Sequence, residues 1–150
     1  MEEVVDLYID EGFWQSMDGL TKTRPPEVLE VSRTGDSAVT RLRFRLSVEL
    51  PREAGRFIDP DDVSWVEHTV WDLAAATAEM DFLPDQGAAL MKASAAIEVV
   101  QTGDDAVRRI TGDLRVRIPL LGGKVERAVV GGIGEYLEEE AGVVADHLEP

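Results

Sequence analysis

The segment from residue 38 to residue 50 alternates between apolar and polar side chains, and it constrains the fold more than any other part of the chain. Because successive side chains of a β-strand point to opposite faces, this alternation predicts one long strand with a buried face and a solvent face. Antiparallel sheets that cover a core on one side have this pattern. The residues of the apolar face are Leu42, Phe44, Leu46, Val48 and Leu50.

Five further runs predict strands, and residues typical of turns separate them. Gly35-Asp36 stands before the long strand, Pro84-Asp85-Gln86-Gly87 follows the fourth strand, and Gly103-Asp104-Asp105 precedes the last one. Strands that follow one another at hairpin spacing, with no helix between them, predict an antiparallel meander. The six predicted strands cover about 27–33, 38–50, 63–73, 75–83, 88–101 and 106–118.

Helical periodicity occurs at the two ends of the chain. It predicts short helices over about 2–9 and 11–17, with Asp10 in position to cap the second. Beyond Pro119 a period of 3.6 predicts a long amphipathic helix over about 121–147. The chain of 150 residues has the length of one domain. This order of elements predicts an α+β fold, in which the long C-terminal helix covers one face of a six-stranded antiparallel sheet.

The charge balance and the absence of cysteine exclude several functions. The chain has 30 acidic and 15 basic residues, and its net charge of -15 would repel phosphate backbones, so we expect no nucleic-acid partner. Without cysteine there are no disulfides, thiolate nucleophiles or cysteine metal sites. His68 and His147 lack metal-ligand spacing, so we expect no metal. Gly122-Gly123-Lys124 is not a P-loop and Gly132-x-Gly134 is not a dinucleotide fingerprint, so we expect no cofactor. No apolar run approaches the ~18 residues of a transmembrane helix and no signal peptide is visible, so we expect a cytoplasmic protein.

The junction between the last predicted strand and the long helix has a distinctive sequence. It reads Val116-Arg117-Ile118-Pro119-Leu120-Leu121-Gly122-Gly123-Lys124-Val125-Glu126. Together with Glu49-Leu50-Pro51, Trp65, Trp71-Asp72 and the Phe13-Trp14 pair after Asp10, it resembles a mostly actinobacterial family of unknown function. That family belongs to the START-like, pollen-allergen-like (SRPBCC) superfamily. The resemblance implies a helix-grip fold with a cavity for lipids, steroids or polyketides. Some superfamily members are cyclases or hydrolases, and others assist chaperones.

The chain departs from the helix-grip pattern at its beginning, because such domains normally start with a strand before the helix pair. We expect either that the natural N-terminus includes another strand or that the sheet lacks it. A missing strand would leave one edge of the 106–118 strand exposed. We therefore expect reduced stability and a homodimer formed through this open edge.

A cavity between the sheet and the long helix is the leading candidate for a site. Ala93, Ala95 and Gly112 are small where a filled core would need large side chains, so they leave room. The alternative is that the inward residues pack against the helix as an ordinary core. The positions predicted to line the cavity are Leu42, Phe44, Leu46, Trp65, Thr69, Trp71, Met80, Phe82, Met91, Ile97, Leu114, Val129, Gly132, Ile133 and Tyr136.

Four glycines fall inside the predicted long helix, at 131, 132, 134 and 142. Each costs ~1 kcal/mol relative to alanine in an ordinary helix, so their presence needs a reason. By helical phase Gly132 faces the sheet, where it could admit a ligand or allow a close approach. The alternative is a kink or a break near 131–134.

Two carboxylates are predicted to lie on the apolar side, Glu67 in the sheet and Glu140 in the helix. A buried carboxylate is costly unless it is paired, so either would be a candidate for contact with a polar group of a ligand or for acid/base work with Tyr136. The alternative is that a bulge turns Glu67 outward and that Glu140 lies beyond the sheet in water.

Three functions therefore remain open. The first is binding of a hydrophobic small molecule, such as a lipid, a fatty acyl group or a polycyclic compound, and we expect binding rather than catalysis. The second is an enzyme of the cyclase or hydrolase kind in the same cavity. The third is a protein-interaction module with a filled core. A cavity of only a few waters' volume would exclude the first two.

Overall fold

The computed structural model describes residues 1–21, 23–46, 49–59 and 61–149. Its elements confirm the predicted α+β class and the order of a helix pair, a meander and a long helix. A short 3₁₀ helix, Arg52–Arg56, lies between the second and third strands. The elements are α1 Glu2–Tyr8, α2 Glu11–Ser16, β1 Glu27–Thr34, β2 Ser37–Leu46, β3 Val63–Asp72, β4 Thr77–Pro84, β5 Met91–Thr102, β6 Asp105–Val116 and α3 Gly122–Leu148.

The six strands form one antiparallel sheet in sequence order, from β1 to β6. Two-residue loops join β1 to β2 and β5 to β6, and the first residue of each, Gly35 or Gly103, has a positive φ of 61° or 64° that suits glycine. In the β2–β3 pair, Leu42 lies opposite Glu67 with no bulge in the ladder. β1 and β6 are the edge strands of the described sheet, and self-association through β6 stays a prediction.

The predicted strand ends differ from the observed ones mainly at turns. β4 begins at Thr77 rather than 75 because residues 73–76 form the turn after β3, where Ala76 has a positive φ of 55°. β5 begins at Met91 rather than 88, since the amides of Leu90 and Met91 bond back to the carbonyl of Gly87. β6 ends at Val116 instead of 118. Ser47 and Val48 of the predicted long strand lie outside the described residues, and Leu50 is not in a strand.

α3 covers the inner face of the sheet and packs against β6 and α1. It is one continuous helix through Gly131 and Gly134, so it does not break there. Its first residue, Gly122, lies against the carbonyl oxygen of Val116, where a Cβ would clash. This contact explains the glycine at the junction and fixes the start of the helix at the end of β6.

The two short helices close one end of the inner face with an aromatic cluster. Asp10 caps α2 by accepting a hydrogen bond from the amide of Phe13 at 2.6 Å. The indole of Trp14 donates to the carbonyl oxygen of Tyr8 at 3.0 Å, and the Tyr8 ring stacks on Trp71 with 6.3 Å between centroids. These contacts bring Tyr8 from the start of the chain to the inner face. None of the helices within the described ranges has the length and apolar character to cross a membrane.

Candidate ligand-binding site

Two spaces adjoin each other between the sheet and α3. The larger, here the outer pocket, has a volume of about 260 Å³, and the smaller, here the inner chamber, has a volume of about 40 Å³. Four apolar side chains line both spaces and therefore form the boundary between them. They are Phe82, Ile110, Ile133 and Leu137.

The outer pocket owes its room to small residues on β5 and β6. Ala93, Ala95 and Gly112 are part of its wall. A Cβ at Gly112 would lie 2.8 Å from the carbonyl oxygen of Ser94, so this glycine also allows close approach of the two strands. The exposed residues Asp113 and Val130 stand at the rim. The other lining residues are Val63, Ser64, Trp65, Phe82, Pro84, Met91, Ser94, Ile110, Leu114, Val129, Ile133, Gly134 and Leu137.

Most of the polar side chains on the inner face of the sheet and on the facing side of α3 line the inner chamber. It is lined by Tyr8, Trp14, Thr40, Leu42, Glu67, Thr69, Trp71, Met80, Phe82, Ile97, Arg108, Ile110, Ile133, Tyr136, Leu137 and Glu140. Arg108 and Glu140 form a buried ion pair, and the Arg108 guanidinium lies 3.9 Å from the centroid of the Tyr8 ring. Burial alone would lower the pKa of Arg108, but Glu140 and the nearby tyrosines outweigh it and keep the pKa above its ordinary value.

Glu67 is the uncharged carboxyl of the chamber at neutral pH. Burial, and then the charge of Glu140, raise the pKa of Glu67 to about 8. The indole of Trp65 donates a hydrogen bond to Oε1 of Glu67 at 3.2 Å, and this bond and Arg108 lower the pKa only in part. Glu67 therefore carries a proton at pH 7 and can donate a hydrogen bond.

The Tyr136 hydroxyl is buried without a hydrogen-bond partner among the described residues. Burial, followed by the charges of Glu140 and Glu67, raises the pKa of Tyr136 well above its ordinary value, so the hydroxyl keeps its proton. A side-chain interaction with Glu140 also raises this pKa, but its geometry does not meet the distance and angle of a hydrogen bond. A buried hydroxyl without a partner costs about 1–3 kcal/mol, and such groups in native proteins call for an explanation.

Comparison with models of protein families identifies the family to which this chain belongs. The model of the family described as "Protein of unknown function (DUF2505)" matches residues 1–148. The chain belongs to the DUF2505 family. The DUF2505 chain is also similar to the crystal structure of TTHA0849 from Thermus thermophilus, with a TM-score of 0.65 and 18% identity over 99% of this chain and 91% of that one. At this identity the likeness concerns the fold alone. No curated protein matches the DUF2505 chain.

The predicted cavity residues divide into three groups in the DUF2505 structure. Those at the outer pocket are Trp65, Phe82, Met91, Leu114, Val129 and Ile133. Those at the inner chamber, which shares Phe82 and Ile133, include Leu42, Thr69, Trp71, Met80, Ile97 and Tyr136. Phe44, Leu46 and Gly132 line neither space.

These last three residues pack as core instead. Phe44 stacks on Trp65 with 5.9 Å between centroids and meets the edge of Tyr136 at 5.2 Å. A Cβ on Gly132 would lie 3.1 Å from Cδ2 of Leu46. The missing side chain of Gly132 therefore admits Leu46, not a ligand.

Both carboxylates are buried, and the alternatives that put them in water are wrong for this DUF2505 chain. The unbroken β2–β3 register turns Glu67 inward, and Arg108 neutralises Glu140. Sequence reasoning missed Arg108. The signal was present, because Arg108 has the same parity as Ile110 and Leu114 on its strand, so alternation places all three on one face.

Proposed function

We propose that this DUF2505 protein binds a hydrophobic small molecule, with the apolar body of the ligand in the outer pocket. The observation that carries this proposal is the mainly apolar space of about 260 Å³ bounded by Ala93, Ala95 and Gly112. Pockets for drug-sized ligands measure ~300–1,000 Å³, so this one suits a bicyclic or medium-length acyl body better than a whole lipid.

Burial of the apolar body in the outer pocket is the main driving force of the proposed binding. A bicyclic body comparable to a tryptophan side chain buries roughly 200 Å². At ~25 cal/mol per Å² this burial contributes about 5 kcal/mol, which corresponds to a Kd in the sub-millimolar range before polar contacts and the entropic costs of association are counted.

The superfamily and the cellular setting belong to the same proposal. The arrangement of one antiparallel six-stranded sheet with a long C-terminal helix on its inner face supports a START-like helix-grip domain. The predicted cytoplasmic location and the homodimer through the β6 edge accompany it as predictions. A module with a filled core has less support, because the outer pocket leaves the space beside Ala95 open.

An enzyme in the same cavity is the second candidate, and Glu67 is the observation that favours it. A carboxyl whose pKa is about 8 keeps its proton at pH 7 and could act as a general acid. Glu67 lies beside Trp65, whose ring lines the outer pocket. Mass spectrometry of a bound ligand before and after prolonged incubation separates the two candidates, since only an enzyme changes the ligand.

Native mass spectrometry of the purified protein and two matched variants tests the proposed function. Ala95→Leu fills the outer pocket, whereas Ala96→Leu adds the same side chain to the exposed outer face of β5. We expect a co-purified or added apolar ligand on the wild type and on Ala96→Leu, and at least about tenfold weaker binding to Ala95→Leu. Thermal denaturation verifies that both variants are folded. Equal ligand binding by the two folded variants would contradict the proposal.

A further inference from the structure

We propose that the inner chamber recognises one neutral oxygen of the ligand, a carbonyl or a hydroxyl, through hydrogen bonds with Glu67 and Tyr136. This inference rests on the proposed function, because the apolar body of the same ligand would occupy the outer pocket. The ligand class is then an apolar molecule with a ketone, an aldehyde or an alcohol at one end. Carboxylates and amines are excluded from this class.

The geometry provides a polar end for an otherwise apolar space. The chamber adjoins the outer pocket across Phe82 and Ile133, so a ligand that reaches both spaces must pass between these boundary side chains. The chamber volume of about 40 Å³ accepts one small polar group, since a water occupies ~30 Å³ in the liquid. Tyr136 is 2% exposed, and its hydroxyl has no partner in the described part of the chain. A ligand oxygen in the chamber would supply that partner.

The charges around the chamber select against ionic ligands. The titratable groups that face it are Tyr8 from α1, Glu67 from β3, Arg108 from β6, and Tyr136 and Glu140 from α3. Arg108 is already paired with Glu140, so a ligand carboxylate would leave the chamber with two buried negative charges and one positive charge. An ammonium group would need to lose its hydration and to ionise Glu67, and both steps cost free energy.

The proton on Glu67 makes the recognition dependent on pH. Below about pH 8 the neutral carboxyl can donate to a ligand carbonyl, while Oε1 keeps its bond from Trp65. Above that pH a carboxylate takes its place, and it can only accept. A ketone should therefore bind more weakly as the pH rises through 8, although the ketone itself does not titrate.

Four probes with one bicyclic body test the inference: ethylnaphthalene, methyl naphthyl ketone, naphthoate and naphthylmethylammonium. Their binding is measured by quenching of tryptophan fluorescence at pH 6.5 and pH 9.5. We expect the ketone to bind at least about tenfold more tightly than either charged probe. We also expect its affinity to fall roughly tenfold at the higher pH, with no such change for ethylnaphthalene.

Two variants identify the groups responsible. Tyr136→Phe should weaken the ketone about threefold to tenfold, the value of one neutral hydrogen bond, and leave ethylnaphthalene unchanged. Glu67→Gln keeps a donor and cannot ionise, so the ketone should bind it equally at both pH values. Glu79→Gln, an exposed change on the outer face of β4, is the matched control and should retain the pH dependence of the wild type. Thermal denaturation verifies that each variant is folded.

The outcomes separate this inference from the proposed function. If ethylnaphthalene and the ketone respond alike to Tyr136→Phe and to pH, the polar recognition is refuted and the apolar pocket stands. If naphthoate or the ammonium probe binds more tightly than the ketone, the inference is refuted as well. If none of the four probes binds, both the proposed function and this inference are refuted.

Discussion

Replacing Glu67 with glutamine should change how the stability of the protein depends on pH. The glutamine has the shape of a protonated glutamate but cannot ionise. In the wild type the carboxyl has an ordinary pKa of 4.5 when unfolded and a pKa of about 8 when folded. Between these two pH values the unfolded state releases a proton that the folded state keeps, so the folded state becomes less favourable as the pH rises.

The magnitude follows from this difference in protonation. The contribution of Glu67 is fully present below pH 4.5, declines by about 1.4 kcal/mol for each pH unit, and levels off above about pH 8. From pH 5 to pH 9 the wild type should lose about 4 kcal/mol of unfolding free energy relative to Glu67→Gln, as an order of magnitude. At pH 5 the two proteins should differ by less than about 1 kcal/mol, because the two side chains are then nearly isosteric.

Urea denaturation at five pH values, followed by tryptophan fluorescence, measures this difference. The titrating groups that lie far from Glu67 contribute equally to both proteins, so they cancel when the two curves are subtracted. Glu79→Gln, the exposed control on β4, should follow the wild-type curve. Parallel curves for wild type and Glu67→Gln would refute the reasoning, since they would mean that Glu67 is ionised or exposed in the folded protein.

Three further substitutions test the surroundings of the chamber. Arg108→Met leaves Glu140 buried without its partner and should lower the unfolding free energy by about 3–5 kcal/mol in the same urea assay. Its control, Arg109→Met, breaks an exposed ion pair and should lower the unfolding free energy by under about 1 kcal/mol. Tyr136→Phe should leave the stability unchanged or raise it by up to about 1 kcal/mol, and a larger loss would show that the hydroxyl is hydrogen bonded. Gly131→Ala meets no atom within 4 Å and should raise the unfolding free energy by about 0.5–1 kcal/mol; a lower melting temperature would contradict the helix geometry.

The fold could be predicted from the sequence because each element has its own periodicity. The alternation in β2 and the 3.6 period of α3 identified which residues face the core. Parity placed Glu67 on the same face as Trp65 and Trp71, but only the unbroken register of β3 decides against the bulge that would have turned it outward. Strand ends were less predictable from the sequence. The turn at 73–76 depends on a positive φ at Ala76, and such a φ is expected from a glycine rather than from an alanine.

The details of the site depend on distances between elements that are far apart in sequence. The pairing of Arg108 with Glu140 joins β6 to α3 across 32 positions, and no local pattern encodes it. The filling of the space at Gly132 by Leu46 depends likewise on how the helix lies against β2. The boundary between the pocket and the chamber is formed by side chains from β4, β6 and α3, so it too depends on how distant elements pack. The alternation along each strand identifies the residues that point inward, but it does not give the volume of the space between them.

Intermolecular nuclear Overhauser effects test the central claim, that the outer pocket holds an apolar ligand, most directly. The protein carries ¹³C-labelled methyl groups on alanine and isoleucine, and methyl naphthyl ketone is added at saturation. The account predicts contacts from the naphthyl protons to the methyl groups of Ala95, Ile110 and Ile133, and none to Ala96 on the outer face. Contacts to Ala96 alone, or no contact to the three pocket methyl groups, would contradict it.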